Sequence, residues 1–548
     1  ADAALRDPLG APDLAARLAS GVAQDVGAGG PSGWDGFYGL LAEQWGVTGQ
    51  SADRCAGAGS GTDLASQHLA AAQAAGSKWS KREVSDLQTR LNPELNRMLG
   101  QLADQAVIAA CRVEAALAGV PAASRDAVLA DAAWLLALPA TPDPAHAELA
   151  ARLVSAWNKV DRPALIAASR GWSEAVQASA LALSGLDPAA WPTAPVIWQI
   201  GLGEVWIGST AANSGSGNPV LLVDPGGDDH WRIRPDATGF VGGPVRGWID
   251  LGGDDVWRSG PGGAGAAVFG VSAGVDLGGD DQHAAADLGT GAGVFGIATW
   301  LDASGDDIYE GERAVQGFGL LGAGLLRDTG RGADVHVASA LAQGAGLPGG
   351  LGVLHDDGGM DRYLVTPGEE SDLCSGGCSQ GSGIGLRPVL AGGIGLLVDD
   401  AGDDLYAAGG SSQAAAQWHG LGVLRDGGGD DSYIAGDSSI AASDRQAAAV
   451  LIDAAGDDQY LGGHRAVAHA GARSVAWLVD VAGRDLYSAQ LGVGSASAED
   501  SAAFLIDGDA LAHWDGGRPG VPAGHPGAAQ QAPPVAVVVG RTSPPPKG

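Results

Sequence analysis

Apolar residues recur along this chain at two different intervals, and the change from one to the other falls near residue 195. Before it, segments such as PDLAARLASGVAQDV and DLASQHLAAAQAA space their apolar side chains three to four residues apart, which marks one face of an α-helix. The best-marked helix opens at Asn92, a favourable N-cap, with Pro93 in the first helical position and Glu94 in the first turn. Its apolar face runs through Leu95, Leu99, Leu102 and Ala106 to Cys111 and Val113. Segments near 124–138, 145–159 and 163–183 read the same way, so residues 1–195 are expected to form an all-α helical bundle. Its tryptophans (Trp34, Trp45, Trp79, Trp134, Trp157, Trp172) are expected in a core or an interface. This part carries no nucleophile motif, metal-ligand spacing or phosphate-binding loop.

After residue 195 the pattern becomes a repeat. LVDPGGDDHW at 222–231 returns as WIDLGGDDVW, WLDASGDDIY, LVDDAGDDLY, LRDGGGDDSY and LIDAAGDDQY. Aligned on the first aspartate, the copies start at Asp224, Asp250, Asp276, Asp302, Asp328, Asp356, Asp399, Asp426, Asp453, Asp480 and Asp507. All but two steps are 26 or 27 residues, which is a solenoid signal and too short for a four-stranded propeller blade. The glycine content argues against helical repeats. The expected fold is therefore a parallel β-helix of about eleven coils over 196–515, a rod about 50 Å long at about 4.8 Å per coil. Residues 516–548 form a Pro/Gly-rich tail in which VAVVV (535–539) is a strand candidate.

Within a coil, the position two before the first aspartate holds Leu222, Trp248, Trp300, Leu326 and Leu354 and should face inward. The position one before it tolerates Arg327, His355 and Arg425 and should face out, so strand alternation turns the first aspartate inward. The glycine three residues later suits a tight corner. An aromatic column (Trp231, Trp257, Tyr309, Tyr363, Tyr406, Tyr433, Tyr460, Tyr487, Trp514) should stack coil on coil.

Charge changes the picture. With 31 Lys plus Arg against 64 Asp plus Glu, the formal net charge is −33, and no lysine occurs between Lys159 and Lys547. Nucleic acid and anionic membranes are disfavoured as partners, and cations are favoured. Stacked carboxylates about 4.8 Å apart repel by about 3 kcal/mol at an effective dielectric of 20, so the columns call for a counter-charge. Ca²⁺, which takes six to eight oxygens, is the expected cofactor, with several ions bound. The candidate ligands are the first aspartates Asp224, Asp250, Asp276, Asp302, Asp399, Asp426 and Asp453 with the seven complete pairs. Those pairs are Asp228/Asp229, Asp254/Asp255, Asp280/Asp281, Asp306/Asp307, Asp403/Asp404, Asp430/Asp431 and Asp457/Asp458. Where a pair is broken, Arg331, Arg362 or Arg484 stands nearby. Aspartates that only cap turns by Asx hydrogen bonds, or that share protons, are the other readings of the same residues. His283, His336, His355, His419, His464 and His469 form no ligand motif.

The Gly-Gly-Asp-Asp-x-aromatic unit resembles the calcium-binding β-roll repeats of exported bacterial proteins. It is still more similar to long bacterial proteins with hhhDxGG(N/D)DxY units and QGxG spacers, here QGFGLLGAG (316–324), QGAGLPGG (343–350) and QGSGIG (380–385). The resemblance covers about residues 200–515 and implies a β-solenoid with Ca²⁺ binding. A β-roll places a turn after every nine residues, whereas here one acidic corner occurs per 26 or 27, so β-roll ligand geometry does not transfer intact.

Four cysteines in two local sets, Cys55 with Cys111 and Cys374 with Cys378, fit two disulfides in an exported protein, and Ala1-Asp2-Ala3 fits a mature terminus. No apolar run is long enough to span a membrane. The 43-residue step after Asp356 places an insertion at 367–383, with Glu369, Glu370 and Asp372, which reads equally as a binding knob or as a tolerated surface loop. Seven copies of one acid pair argue against a unique catalytic constellation, so no catalytic residue is assigned. The expected function is a non-catalytic, calcium-binding scaffold at the cell surface, in the periplasm or in the extracellular space. Its expected partners are other surface proteins or further copies of itself. A carbohydrate-active β-helix, binding or cleaving a polysaccharide, is the alternative.

Overall fold

The computed structural model describes residues 2–23, 34–49, 53, 55–78, 80–136, 144–234, 243–366, 377–490, 493–498, 500–508, 513–515 and 535–539. Nine α-helices among them precede a parallel β-solenoid. The helices Pro93–Ala116, Ala122–Leu136, Pro144–Trp157 and Arg162–Ser184 fall where the apolar spacing places them. The Asn92 side chain caps the first of these, accepting from the Glu94 N–H at 2.8 Å. Cys55 and Cys111 form a disulfide, and Cys378 is also disulfide-bonded; Cys374 lies outside the described residues.

Each coil contributes a long strand to a 14-stranded sheet, a short strand to a 12-stranded sheet and, through most of the rod, a shorter one to a 9-stranded sheet. The coil opening at Ile297 shows the course: Ile297–Asp302, Ile308–Gly311 and Phe318–Leu320. Register is strict. Ile297–Asp302 lies between Val271–Asp276 and Ala323–Asp328, so that Asp276, Asp302 and Asp328 stand in line. The rod starts before the first acidic motif, with Gly203–Ile207 paired to Leu221–Val223 and Ser214–Gly217 paired to His230–Ile233. It also continues past the last motif, because Val535–Val539 adds a parallel strand beside Ala502–Ile506.

Three corners close the coil, and two of them carry the marked residues of the repeat. At the acidic corner Gly253 has φ 129°, and a Cβ there would sit 2.1 Å from the Gly227 carbonyl oxygen of the preceding coil. Gly253→Ala combines backbone strain with overpacking against a backbone that cannot move alone. It should cost about 2–4 kcal/mol, read as a lowered midpoint of chemical unfolding. At the second corner glutamine sits in the left-handed region, in the QG spacers and at Gln413, which alanine follows: Gln316, Gln343, Gln380 and Gln413 have φ of 56–57°. Each amide bridges carbonyls of adjacent coils, as where Gln343 Nε2 donates to His336 O and Leu364 O at 3.0 and 3.3 Å. Because Gln380 belongs to this ladder, 377–383 is regular coil, and the insertion is narrower than the spacing suggested. Glu369, Glu370 and Asp372 lie outside the described residues.

The helical layer covers the outer face of the 14-stranded sheet. Helix Arg162–Ser184 lies on the strands Val245–Asp250, Val271–Asp276 and Ile297–Asp302, and Ala11–Ala23 lies on strands from Ile394–Asp399 to Val475–Asp480. Outward-facing Val271, Ala273, Val275, Leu325 and Val353 share one core with Leu95, Leu99, Trp172 and Val176. Trp172 Nε1 donates to Arg246 O at 2.6 Å and Trp45 Nε1 to Gly349 O at 3.2 Å, so these tryptophans serve the interface. The position before the first aspartate does face out, but into this layer rather than into solvent. Arg327 and His355 are buried there, with Arg327 Nη1 donating to Val22 O at 3.1 Å.

Candidate metal centre

The candidate aspartates fall into three columns with different surroundings. The first aspartate of each motif points inward, as strand alternation requires. At Asp250, Asp276, Asp328, Asp356, Asp399, Asp426 and Asp453 its Oδ1 accepts from the N–H two residues on, forming an Asx turn, as from Gly278 to Asp276 at 3.1 Å and from Gly428 to Asp426 at 2.7 Å, whereas Oδ1 of Asp224, Asp302 and Asp480 has no partner. In the tyrosine coils the phenol donates to Oδ2, as from Tyr406 to Asp426 at 2.7 Å and from Tyr433 to Asp453 at 2.8 Å.

The second member of each pair forms an inner column. Its Oδ1 accepts from the backbone N–H of its counterpart one coil earlier: Asp255 N–H to Asp281 and Asp307 N–H to Asp334 at 2.6 Å, Asp281 N–H to Asp307 at 2.7 Å. Asp229, Asp255, Asp281, Asp307, Asp404, Asp431 and Asp458 are all buried in this column.

The first member of the pair is the outer column. Asp228, Asp254, Asp280, Asp306, Asp403, Asp430 and Asp457 are exposed. They reach the other way, accepting from the next coil, as Asp254 does from Asp280 N–H at 3.1 Å. The outer column therefore stands apart from the buried carboxylates. Arg484 ends it, donating to Asp457 Oδ2 at 2.6 Å from an exposed position.

The inner columns contain residues that a search for complete pairs passes over. Asp328, Asp356 and Asp480 are first aspartates, and Asp334, Asp361 and Asp485 hold the second pair position where Ala333, Met360 or Arg484 has replaced the first. Only the outer aspartate is lost in those copies. Counting positions from the first aspartate, with one extra residue allowed in the copy from Asp328, would have found them. The same count places His283 and His336 in the aromatic column. Ring centroids there are 4.8–5.0 Å apart from His283 to Tyr487, with planes within 6° of parallel.

With Oδ1 used in turn and ladder, the second oxygen of many buried aspartates has no hydrogen-bond partner, among them those of Asp250, Asp255, Asp276, Asp281, Asp307, Asp328, Asp334, Asp361, Asp404, Asp431 and Asp458. They converge. One oxygen from each of Asp302, Asp307 and Asp328 lies within 4.8 Å of the others, and Asp328, Asp334 and Asp356 repeat the arrangement one coil on. Burial, then repulsion between neighbouring carboxylates, pushes their pKa values up. The result is about 7 at Asp276, Asp307 and Asp404, about 8 at Asp458 and Asp480, and about 9 at Asp281, Asp334 and Asp361. Burial alone holds the His283 imidazole down to about 3, so that ring is neutral. Buried oxygens without partners are costly, and a cation or a proton between them removes the cost. The donors are carboxylate oxygens, which suit a hard divalent ion.

A second acidic group lies under the helical layer. His355 Nε2 is 3.1 Å from Asp400 Oδ2, Arg327 Nη2 is 2.7 Å from Asp357 Oδ1, and Arg425 Nη1 is 2.5 Å from Asp400 Oδ1. Burial would raise Asp400, but the His355 contact and then Arg425 outweigh it and bring the pKa down to about 2. Two guanidinium groups already satisfy these carboxylates, so this network ties the layers together rather than awaiting an ion. On the outer face of the 12-stranded sheet, Arg232, Arg234, Arg258, Glu310 and Glu312 line an open groove of about 790 Å³. No helix among the described residues is long and apolar enough to cross a membrane. No protein-family model, curated protein or solved structure matches the chain.

Proposed function

We propose that this protein is a non-catalytic repeat scaffold whose solenoid is stabilised by several Ca²⁺ ions, acting as a structural or interaction component at the cell surface or in an extracellular assembly. The observation that carries the reading is one buried carboxylate geometry, with oxygens left unpaired, repeated coil after coil along the rod. An enzyme concentrates its acids in one place, whereas a repeated column distributes a stabilising function. Asp302, Asp307 and Asp328, with their equivalents in other coils, would hold the ions; the exposed outer aspartates would not. The Cys55–Cys111 disulfide supports export to an oxidising compartment. The exposed face of the 12-stranded sheet, with its charged groove, is a surface open to other proteins or to further copies of the chain.

The test is thermal unfolding, by far-UV circular dichroism, of chain stripped with chelator. Adding millimolar Ca²⁺ should raise the midpoint by about 10 °C or more, with Mg²⁺ much weaker, because an ion bound only by the folded state stabilises it. An unchanged midpoint would sink the Ca²⁺ reading and leave the aspartates as turn-formers.

A further inference from the structure

The tyrosine coils show what the aromatic column does for the first aspartates. Tyr460 Oη lies 3.1 Å from Asp453 Oδ2 and 3.0 Å from Asp480 Oδ2, so one phenol bridges the carboxylates of successive coils. In the coil that opens at Asp276 the same place is taken by His283. Its ring keeps the stack, with centroids 6.0 Å from Trp257 and 5.0 Å from Tyr309, and the residue is only 4% exposed. Yet Nε2 of this buried imidazole has no hydrogen-bond partner, and neither do Asp276 Oδ2 and Asp302 Oδ1. A ring nitrogen of His283 and one oxygen from each of Asp276 and Asp302 all lie within 4.8 Å of one another.

We propose that His283, Asp276 and Asp302 form a binding site for a divalent transition metal, Zn²⁺ above all, set into a column where the tyrosine coils offer oxygen alone. Imidazole nitrogen is a borderline-soft ligand that favours Zn²⁺ and Co²⁺ over Ca²⁺, and two carboxylates with one imidazole are a donor set that Zn²⁺ accepts. Charge points the same way. Two carboxylates and a divalent ion sum to zero, which suits a buried site where residual charge is costly. His336 takes the equivalent place two coils further on, its Nε2 3.9 Å from Asp356 Oδ2 and both ring nitrogens without a hydrogen bond, and is assigned the same role. Asp302 belongs both to this site and to the neighbouring oxygen-only cluster, so the two are told apart by variants of the histidine, which leave every carboxylate in place.

The full chain, produced in medium containing ZnCl₂ or CoCl₂ and dialysed against EDTA, should retain about one metal ion per histidine site by mass spectrometry. The Co²⁺ form should show the visible bands of a nitrogen-ligated ion. His283→Tyr installs the residue of the neighbouring coils, and His283→Phe keeps the ring but removes the nitrogen. Each should lose about half of the metal and of the bands, and His283→Tyr with His336→Tyr should lose both entirely. The Ca²⁺-dependent shift in midpoint should survive in His283→Tyr, which separates failure of this site from failure of the calcium reading. A wild-type chain without retained Zn²⁺ or Co²⁺ would overturn the proposal, as would His283 variants that keep the full metal content.

Discussion

Stripped of metal, the chain should melt at progressively lower temperature as pH rises from about 4 to about 10. The buried aspartates have folded-state pKa values raised by burial, to about 7 at Asp276 and Asp307, about 9 at Asp281 and Asp334 and about 10 at Asp431. In the unfolded chain the same groups titrate near 4. Between those values the folded state holds protons that the unfolded state has released. The stability linked to them is fully present below about pH 4 and is lost as pH climbs through about 7 to 10. A net loss of about 4 kcal/mol over that window would lower the midpoint of a chain this size by about 4 °C. Bound Ca²⁺ reverses the sign, because the ion takes the deprotonated carboxylates, so the loss should disappear or invert in its presence. Melting curves in EDTA and in Ca²⁺, at about pH 5, 7 and 9, check both halves. A metal-free midpoint that stays level across the range would mean that the columns are not the proton-holding clusters their burial implies.

The second large effect separates the two members of one pair. Asp281→Ala removes the carboxylate that accepts from the Asp255 N–H at 2.6 Å, leaving a buried donor orphaned and a void in the inner column. It should cost about 1–3 kcal/mol, and it should also weaken stabilisation by Ca²⁺. Asp280→Ala touches an exposed side chain that accepts from the Asp306 N–H at 3.0 Å, where water replaces the lost bond. Its cost should stay below about 1 kcal/mol, with the response to Ca²⁺ unchanged. Equilibrium urea unfolding of the two variants reads the contrast. Equal costs would mean that burial does not distinguish the columns.

Much of this architecture is written in local spacing. The period of 26 or 27, the inward leucine or tryptophan two places before nearly every first aspartate and the stacked aromatics are all sequence-periodic, because a solenoid repeats its environment with its sequence. The turn-forming role of the first aspartate also follows from local chemistry, since an Asx turn joins residues only two apart. The glutamines of the QG spacers were visible as a pattern, but their amide ladder was not. It links carbonyls whose distance in the chain is set by coil stacking, as with Gln343 and Leu364.

The sequence by itself determined the coil, its register and the inward turn of Asp224 and its equivalents, because strand alternation and corner geometry act over a few residues. Only the tertiary structure decided that Asp281 is buried while Asp280 beside it is exposed: at a corner the chain leaves the strand, and alternation no longer assigns sides. The same holds for Arg327 and His355. Their polarity reads as a solvent face, yet a helical layer some three hundred residues earlier in the chain lies over them and supplies the Val22 carbonyl that makes burial tolerable. And the imidazole of His283 acquires its two carboxylate neighbours only when Asp302, from the next coil, is stacked in register above Asp276.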